Sequence, residues 1–252
     1  MGDMSGELLS RVRVVLCRPG HPGNVGAAAR ALKTMGLTDL RLVAPQRFPA
    51  PEAEWMASNA LDVLRAARVQ DSLGEAIGEC VAAFALSARP REWSPQVLAL
   101  RAAAPLMLER ARGGPIALVF GNETAGLSNE EMLACQFLVH IPADPGHSSL
   151  NLAQAVQVVA YELRMAALAA PGGSARERAD RPATVQDMEG LYAHLEEAAL
   201  ASGFLDPADP KKLRERWRRL FSRAALEREE VNILRGLLRA LLASRRDAGG
   251  NS

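Results

Sequence analysis

Over roughly the first two thirds of the chain, short apolar β-rich runs alternate with longer segments in helical spacing. This is the pattern of an α/β domain with a mostly parallel sheet. The runs at 12–17, 40–43, 80–86, 116–120 and 137–141 predict strands. Helices are predicted over 24–35, where Gly36 supplies a left-handed cap, over 52–67, from Pro95 to about residue 112, and over 150–170. The last of these carries little charge before Glu162, so burial on more than one face, and with it a subunit interface, is expected.

The pattern changes at Pro171-Gly172-Gly173-Ser174, and the residues that follow are rich in Arg, Glu, Asp and Ala up to Pro182. That composition predicts a linker over 171–183. Beyond it, three helical stretches are expected, at about 184–202, 210–222 and 226–245. In the last, Val231, Leu234, Leu238 and Leu241 form one apolar stripe. The expected organisation is an α/β domain over 1–170, the linker, and a small all-helical domain over 184–252.

A chain of 252 residues that is 48% hydrophobic and 23% charged has material for one large core and a smaller unit. It contains no apolar run of about 18 residues, and its start lacks a basic, then apolar, signal pattern, so a cytoplasmic protein without membrane contact is expected. Cys17, Cys80 and Cys135 are odd in number and far apart, which predicts reduced core thiols and no metal site. The net charge of +1 hides a local cluster: Lys211, Lys212, Arg214, Arg216, Arg218, Arg219 and Arg223 stand against the single acid Glu215. Such a cluster is either a phosphate-binding face or a solvated helix surface.

Three segments after strands carry the candidate chemistry. Pro22-Gly23-Asn24-Val25-Gly26-Ala27-Ala28-Ala29-Arg30 is either a tight βα turn with a surface arginine or a loop that lets a ligand approach and brings Arg30 to a phosphate or ribose. Its glycines do not match the G-x-G-x-x-G of dinucleotide binders, which speaks against a nucleotide-dependent oxidoreductase. Phe120-Gly121-Asn122-Glu123-Thr124-Ala125-Gly126-Leu127 places a carboxylate between glycines where open α/β sheets bind ligands, with Ser128 or Asn129 free to cap a following helix. In the stretch from Ile141 to Leu152, two prolines and Gly146 stiffen a loop, and Ser148 and Ser149 are expected to cap the next helix. His147 is a possible acid or base, although a surface role suits it better, and the absence of G-x-S-x-G excludes a nucleophile elbow.

Taken in order, Asn24…Gly26…Arg30, then Phe120-Gly121…Glu123…Gly126-Leu127, then Ile141-Pro142…Ser148-Ser149-Leu150-Asn151-Leu152 resemble the motif series of the SpoU class of RNA ribose methyltransferases, over about residues 11–168. The tail Asn232-Ile233-Leu234-Arg235-Gly236-Leu237-Leu238 resembles the TrmJ-type tRNA (cytidine/uridine-2′-O)-methyltransferases of that class. The resemblance implies a SPOUT α/β-knot fold, S-adenosyl-L-methionine as cofactor without a metal, and a homodimer whose sites are shared between protomers. It further implies 2′-O-methylation of tRNA, at nucleotide 32 of the anticodon loop. The same chemistry on rRNA, and a non-catalytic RNA-binding module, are the alternatives. Carried over by position, Leu86, Ser87, Ala88, Gly121, Ile141, Ser148, Ser149 and Leu150 would contact the cofactor. Arg30 and Ser149 would act at the ribose, braced by Asn24, Glu123 and Asn151. Arg30, Arg216, Arg218 and Arg219 would meet RNA.

Overall fold

The computed structural model describes residues 4–88, 95–169 and 181–249. They form two compact units, one within residues 1–177 and the other within 178–252. Among the described residues no helix is long and apolar enough to cross a membrane.

In the first unit the elements run α1 (Met4–Ser10), β1 (Val12–Cys17), α2 (Pro22–Met35), β2 (Asp39–Val43), α3 (Pro51–Ala57), α4 (Leu61–Arg65), β3 (Arg68–Gln70), α5 (Leu73–Ile77) and β4 (Ala82–Leu86). After these come β5 (Gln96–Ala99), α6 (Leu100–Gly113), β6 (Ile116–Phe120), α7 (Asn129–Leu133), β7 (Phe137–His140) and α8 (Leu152–Ala169). The seven strands are all parallel, in the order β3-β2-β1-β6-β4-β7-β5.

Strand alternation divides the side chains unequally. Val12, Val14 and Leu16, Phe84 and Leu86, Ile116, Leu118 and Phe120, and Phe137 and Val139 point into one large core with α2, α6 and α8. Phe84 stacks on Phe137 at 4.8 Å between ring centroids. The alternate positions of β1 and β2 carry Arg13 and Arg41, both buried. Their charges converge on Asp39, at 3.1 Å from Arg13 and 2.5 Å from Arg41, and Arg13 also donates to the Ala76 carbonyl of α5. Burial pushes the Asp39 carboxyl up, but hydrogen bonds from Arg41 and Arg13 outweigh it and hold it below the usual carboxylate range. Cys17, Cys80 and Cys135 are buried and form no disulfide among the described residues, in keeping with the expected reduced core thiols.

Several boundaries differ from the periodicity. The helix expected over 52–67 is broken, because Ser58 adopts φ 50° and a 3₁₀ turn at Ser58–Ala60 separates α3 from α4. Pro95 opens no helix. Gln96–Ala99 instead pairs with β7 as an edge strand, too short and too exposed to show an alternating pattern. β3, α1 and α5 have no apolar run of their own strong enough to announce them. Gly36 caps α2 with φ 82°, as expected. The small residues of the first motif admit a helix: a Cβ on Gly26 would lie 1.9 Å from the carbonyl oxygen of Ala53 in α3.

The second unit contains α9 (Val185–Ser202), α10 (Leu213–Ala224) and α11 (Arg228–Gly249). Thr184 and Asp187 form a capping box at the start of α9. Ala183, Met188, Leu191 and Val231 make a small core, with Tyr192, Phe221, Leu234 and Leu238 packed against it. Leu241 of the expected stripe is 56% exposed, so the stripe turns outward after Leu238. Of the linker expected over 171–183, residues 171–180 lie outside the described residues.

Two glycines test this packing in opposite directions. Gly26→Ala is expected to cost about 1–3 kcal/mol by forcing α2 and α3 apart. Gly236→Ala, in open space within α11, is expected to gain about 1 kcal/mol from helix propensity. Urea unfolding followed by circular dichroism measures both, and equal stabilities for the two variants would contradict this account.

Candidate active site

The loops after β1, β4, β6 and β7 leave the same, C-terminal edge of the sheet, and these four strands are neighbours in the order β1-β6-β4-β7. At that edge lies a cleft walled by Leu86, Ser87 and Ala88 after β4, by 120–127 after β6, by Val139 and Ile141 of the β7 end, and by Ser148, Ser149, Leu150, Leu152 and Ala155. The structure therefore gathers all eight cofactor positions inferred from the motifs into one cleft. Its walls combine apolar side chains with hydroxyls and peptide groups. That mixture fits a flat heterocycle joined to a polar, charged chain.

The loop after β6 is shaped by close packing. A Cβ on Gly121 would lie 2.1 Å from the carbonyl carbon of Gly126 and 2.2 Å from the amide nitrogen of Leu127. Gly126 itself takes φ 68° and donates its N–H to the Asn122 carbonyl at 2.8 Å. The Asn122 side chain accepts from the N–H of Thr124 at 2.9 Å and donates to the Arg18 carbonyl at 2.7 Å. Ser128 caps α7 in a capping box with Glu131.

Glu123, Asn24 and Asn151, one from each motif, form a continuous relay. A carboxylate only accepts, so it dictates the orientation of its neighbours. Glu123 accepts from the N–H groups of Gly20 at 2.9 Å and His21 at 3.2 Å, and from Asn24 Nδ2 at 2.8 Å. Asn24 is thereby turned so that its Oδ1 accepts from Asn151 Nδ2 at 3.0 Å. Asn151 Oδ1 in turn accepts the N–H of Ala153 at 2.9 Å, which makes Asn151 the cap of α8. Burial pushes the Glu123 carboxyl up, but the donors from Asn24, Gly20, His21 and its own backbone outweigh it, and the group titrates below its usual 4.5.

This corrects the assignment of the cap. Ser148 and Ser149 stand exposed in the cleft wall, ahead of a helix that begins at Leu152, and Asn151 satisfies its first N–H groups. Arg30 is on the exposed side of α2, outside the cleft lining, and its side chain has no hydrogen bond or ion pair among the described residues. His147 is exposed in the loop before the serines and does not line the cleft. In the second unit Arg216 and Arg219 are exposed. Arg218 is instead spent within the unit: it pairs with Glu189 at 2.5 and 2.6 Å and lies 4.7 Å over the ring of Tyr192, with 27% of its side chain exposed. Arg18 and Glu131, which form an ion pair beside the cleft, drew no attention in the sequence, since 113 residues separate them.

A parallel α/β sheet with a loop-lined cleft at the C-terminal edge of its strands has the architecture of a ligand-binding α/β enzyme domain. The SpoU rRNA methylase family model matches residues 11–161, and the model of the tRNA methyltransferase TrmJ C-terminal domain matches 186–251. The tRNA (cytidine/uridine/adenosine-2′-O-)-methyltransferase TrmJ of Pseudomonas aeruginosa is 49% identical over 92% of this chain and 93% of its own. The crystal structure of TrmJ from Z. mobilis is 34% identical and superposes with a TM-score of 0.79, covering 91% of this chain and 98% of that one. The SpoU methyltransferase AviRb from Streptomyces viridochromogenes, solved in complex with the cofactor AdoMet, shares the fold at 24% identity and a TM-score of 0.50, over 63% and 58% of the two chains. The chain belongs to the SpoU methylase family, in its TrmJ branch, and has the SPOUT α/β-knot fold expected from the motif series.

Because the Glu123 carboxyl is held below its unfolded value, its bracing is complete above about pH 4.5 and is lost as the pH falls through the lower folded value. Glu123→Gln is therefore expected to be less stable than the parent by about 1 kcal/mol at neutral pH, and the gap should close in acid. Unfolding curves across pH check the sign, and a gap that stays constant into acid would contradict it.

Proposed function

We propose that this protein moves a methyl group from S-adenosylmethionine to the ribose 2′-oxygen of a cytidine or uridine in tRNA, at position 32 of the anticodon loop. We infer further that it works in the cytoplasm as a homodimer whose sites draw on both protomers. The observation that carries this reading is the Glu123-Asn24-Asn151 relay, which binds the three motif loops into one cluster beside the cleft. The match of the tail to the TrmJ C-terminal domain favours tRNA over rRNA.

The cofactor, when bound, supplies a methyl group activated on a sulfonium. Leu86, Ile141 and Leu150 would wall its ring, while Ser87, Ala88, Gly121 and Ser148 would offer hydroxyl and peptide groups. A displacement onto the ribose oxygen would require this chain's residues to hold that oxygen in line with the methyl carbon, and the hydroxyl proton would pass to solvent water as the new bond forms. Positioning supplies most of the acceleration of such a step. A guanidinium carries no free lone pair to act as a literal base. Arg30 therefore orients the ribose through an adjacent phosphate and stabilises the charge developing on its oxygen. Ser149 holds the nucleotide or Arg30, and the relay keeps Ser149 in place.

The exposed side chain of Arg30, outside the lining of its own cleft and without a hydrogen bond or ion pair among the described residues, supports delivery to the cleft of the partner protomer. Tyr161, Met165 and Leu168 of α8 form an exposed apolar stripe at helical spacing and suit the subunit contact. In the tail, Lys212, Arg216, Arg219 and Arg223 are exposed and recur at four- and three-residue intervals, so they share a face of α10 fit for phosphates. Arg218 leaves the RNA-contacting set.

Purified protein incubated with labelled S-adenosylmethionine and separate tRNA and rRNA pools should label tRNA, at nucleotide 32. Label confined to rRNA or to the protein would refute the assignment. Arg30→Ala and Ser149→Ala should each lower turnover by roughly a hundredfold or more, and mixing the two variants should restore activity through heterodimers with one intact site. No recovery on mixing would mean that the sites are not shared. Neutralising Lys212, Arg216, Arg219 and Arg223 together should flatten the salt dependence of tRNA binding by up to about four charges' worth, and an unchanged slope would remove α10 from the RNA interface.

A further inference from the structure

The loop that forms one cleft wall is tied down by a residue outside the three motifs. Arg18, at the end of β1 with φ 49°, lays its guanidinium on the carboxylate of Glu131: Nη2 lies 2.9 Å from Oε2 and Nη1 meets Oε1. Glu131 is 7% exposed, and its Oε2 also accepts the N–H of Ser128 at 2.7 Å, the reciprocal bond of the box that starts α7. The carbonyl of the same Arg18 accepts from Asn122 Nδ2 at 2.7 Å. Residue 18 therefore holds the loop at both ends, by its peptide group at Asn122 and by its side chain at the first turn of α7. Between those anchors run Glu123 to Leu127, which line the cleft, whereas neither Arg18 nor Glu131 does.

We propose that the Arg18–Glu131 ion pair is a positioning device for the cofactor: it presets the 121–128 wall and so sets the affinity for S-adenosylmethionine without touching it. This rests on the cofactor reading given above. Removing the guanidinium leaves a buried carboxylate that keeps only neutral donors, the Ser128 N–H and the Cys17 thiol, among the described residues, so its uncompensated charge bears on the start of α7 at the end of the loop. A loosened wall has to be ordered by the ligand at the moment of binding, and that cost appears as weaker affinity. The Glu123 bonds to the N–H groups of Gly20 and His21 remain, so the loop keeps its path and loses its end anchor.

The test titrates S-adenosylmethionine into the full-length protein and its Arg18→Gln, Glu131→Gln, double and Arg18→Lys variants, with the folded fraction of each followed by circular dichroism. Each single Gln variant is expected to weaken Kd roughly tenfold. The double variant should weaken it no further, and Arg18→Lys should recover part of the loss. In turnover, KM for the cofactor should rise by more than kcat falls, while KM for tRNA stays near the parent value. A parent protein that binds no S-adenosylmethionine would overturn the cofactor reading itself. A parent that binds, with variants of equal Kd or with cofactor and tRNA constants worsening together in step with lost folding, would overturn the positioning role.

Discussion

Four donors converge on the Glu123 carboxylate: the N–H groups of Gly20 and His21 and the amides of Asn24 and Asn122. Because an ionised carboxylate accepts and never donates, this one group sets the direction of every amide around it. Its influence passes through Asn24 to Asn151, and from there to the free N–H groups at the start of α8. Three loops from distant parts of the sequence are thereby held in one geometry. The cleft owes its shape to this charge as much as to its apolar walls.

The sheet below explains why the charge sits where it does. Parallel strands send all of their loops to one edge, and the large side chains lie on the face covered by α2, α6 and α8. α2 and α8, the two helices bearing the Asn residues, pack together on that face, so Asn24 and Asn151 meet at their first turns. Glycine makes the last adjustment: no side chain fits at Gly121, where the loop folds back on itself, or at Gly26, where α3 crosses α2.

Much of this could be read in the sequence, and the gaps have physical causes. Buried parallel strands are continuous apolar runs, so β1, β2, β4, β6 and β7 stand out. Edge strands β3 and β5 are short and partly exposed, and nothing in their own residues distinguishes them from loop. The break at Ser58 is a backbone conformation that a periodic pattern cannot express. The cleft positions follow from the family motifs, whereas the Asn151 cap depends on a partner 127 residues away. Arg218 shows the limit of counting charges. In a run of basic residues it looks like its neighbours, yet its place on the inner side of α10 gives it Glu189 and Tyr192, and burial there raises the Tyr192 hydroxyl to about 12.

The close crossing at Gly26 also has a mechanical meaning. Asn24 and Arg30 lie six residues apart on one helix, about 9 Å along its axis and on different sides of it. Between them the helix rests against the backbone of Ala53 with no side chain as a cushion. The contact fixes how closely α3 can approach α2, and the helix fixes the spacing between the residue that meets Glu123 and the exposed arginine, so the two are parts of one rigid element.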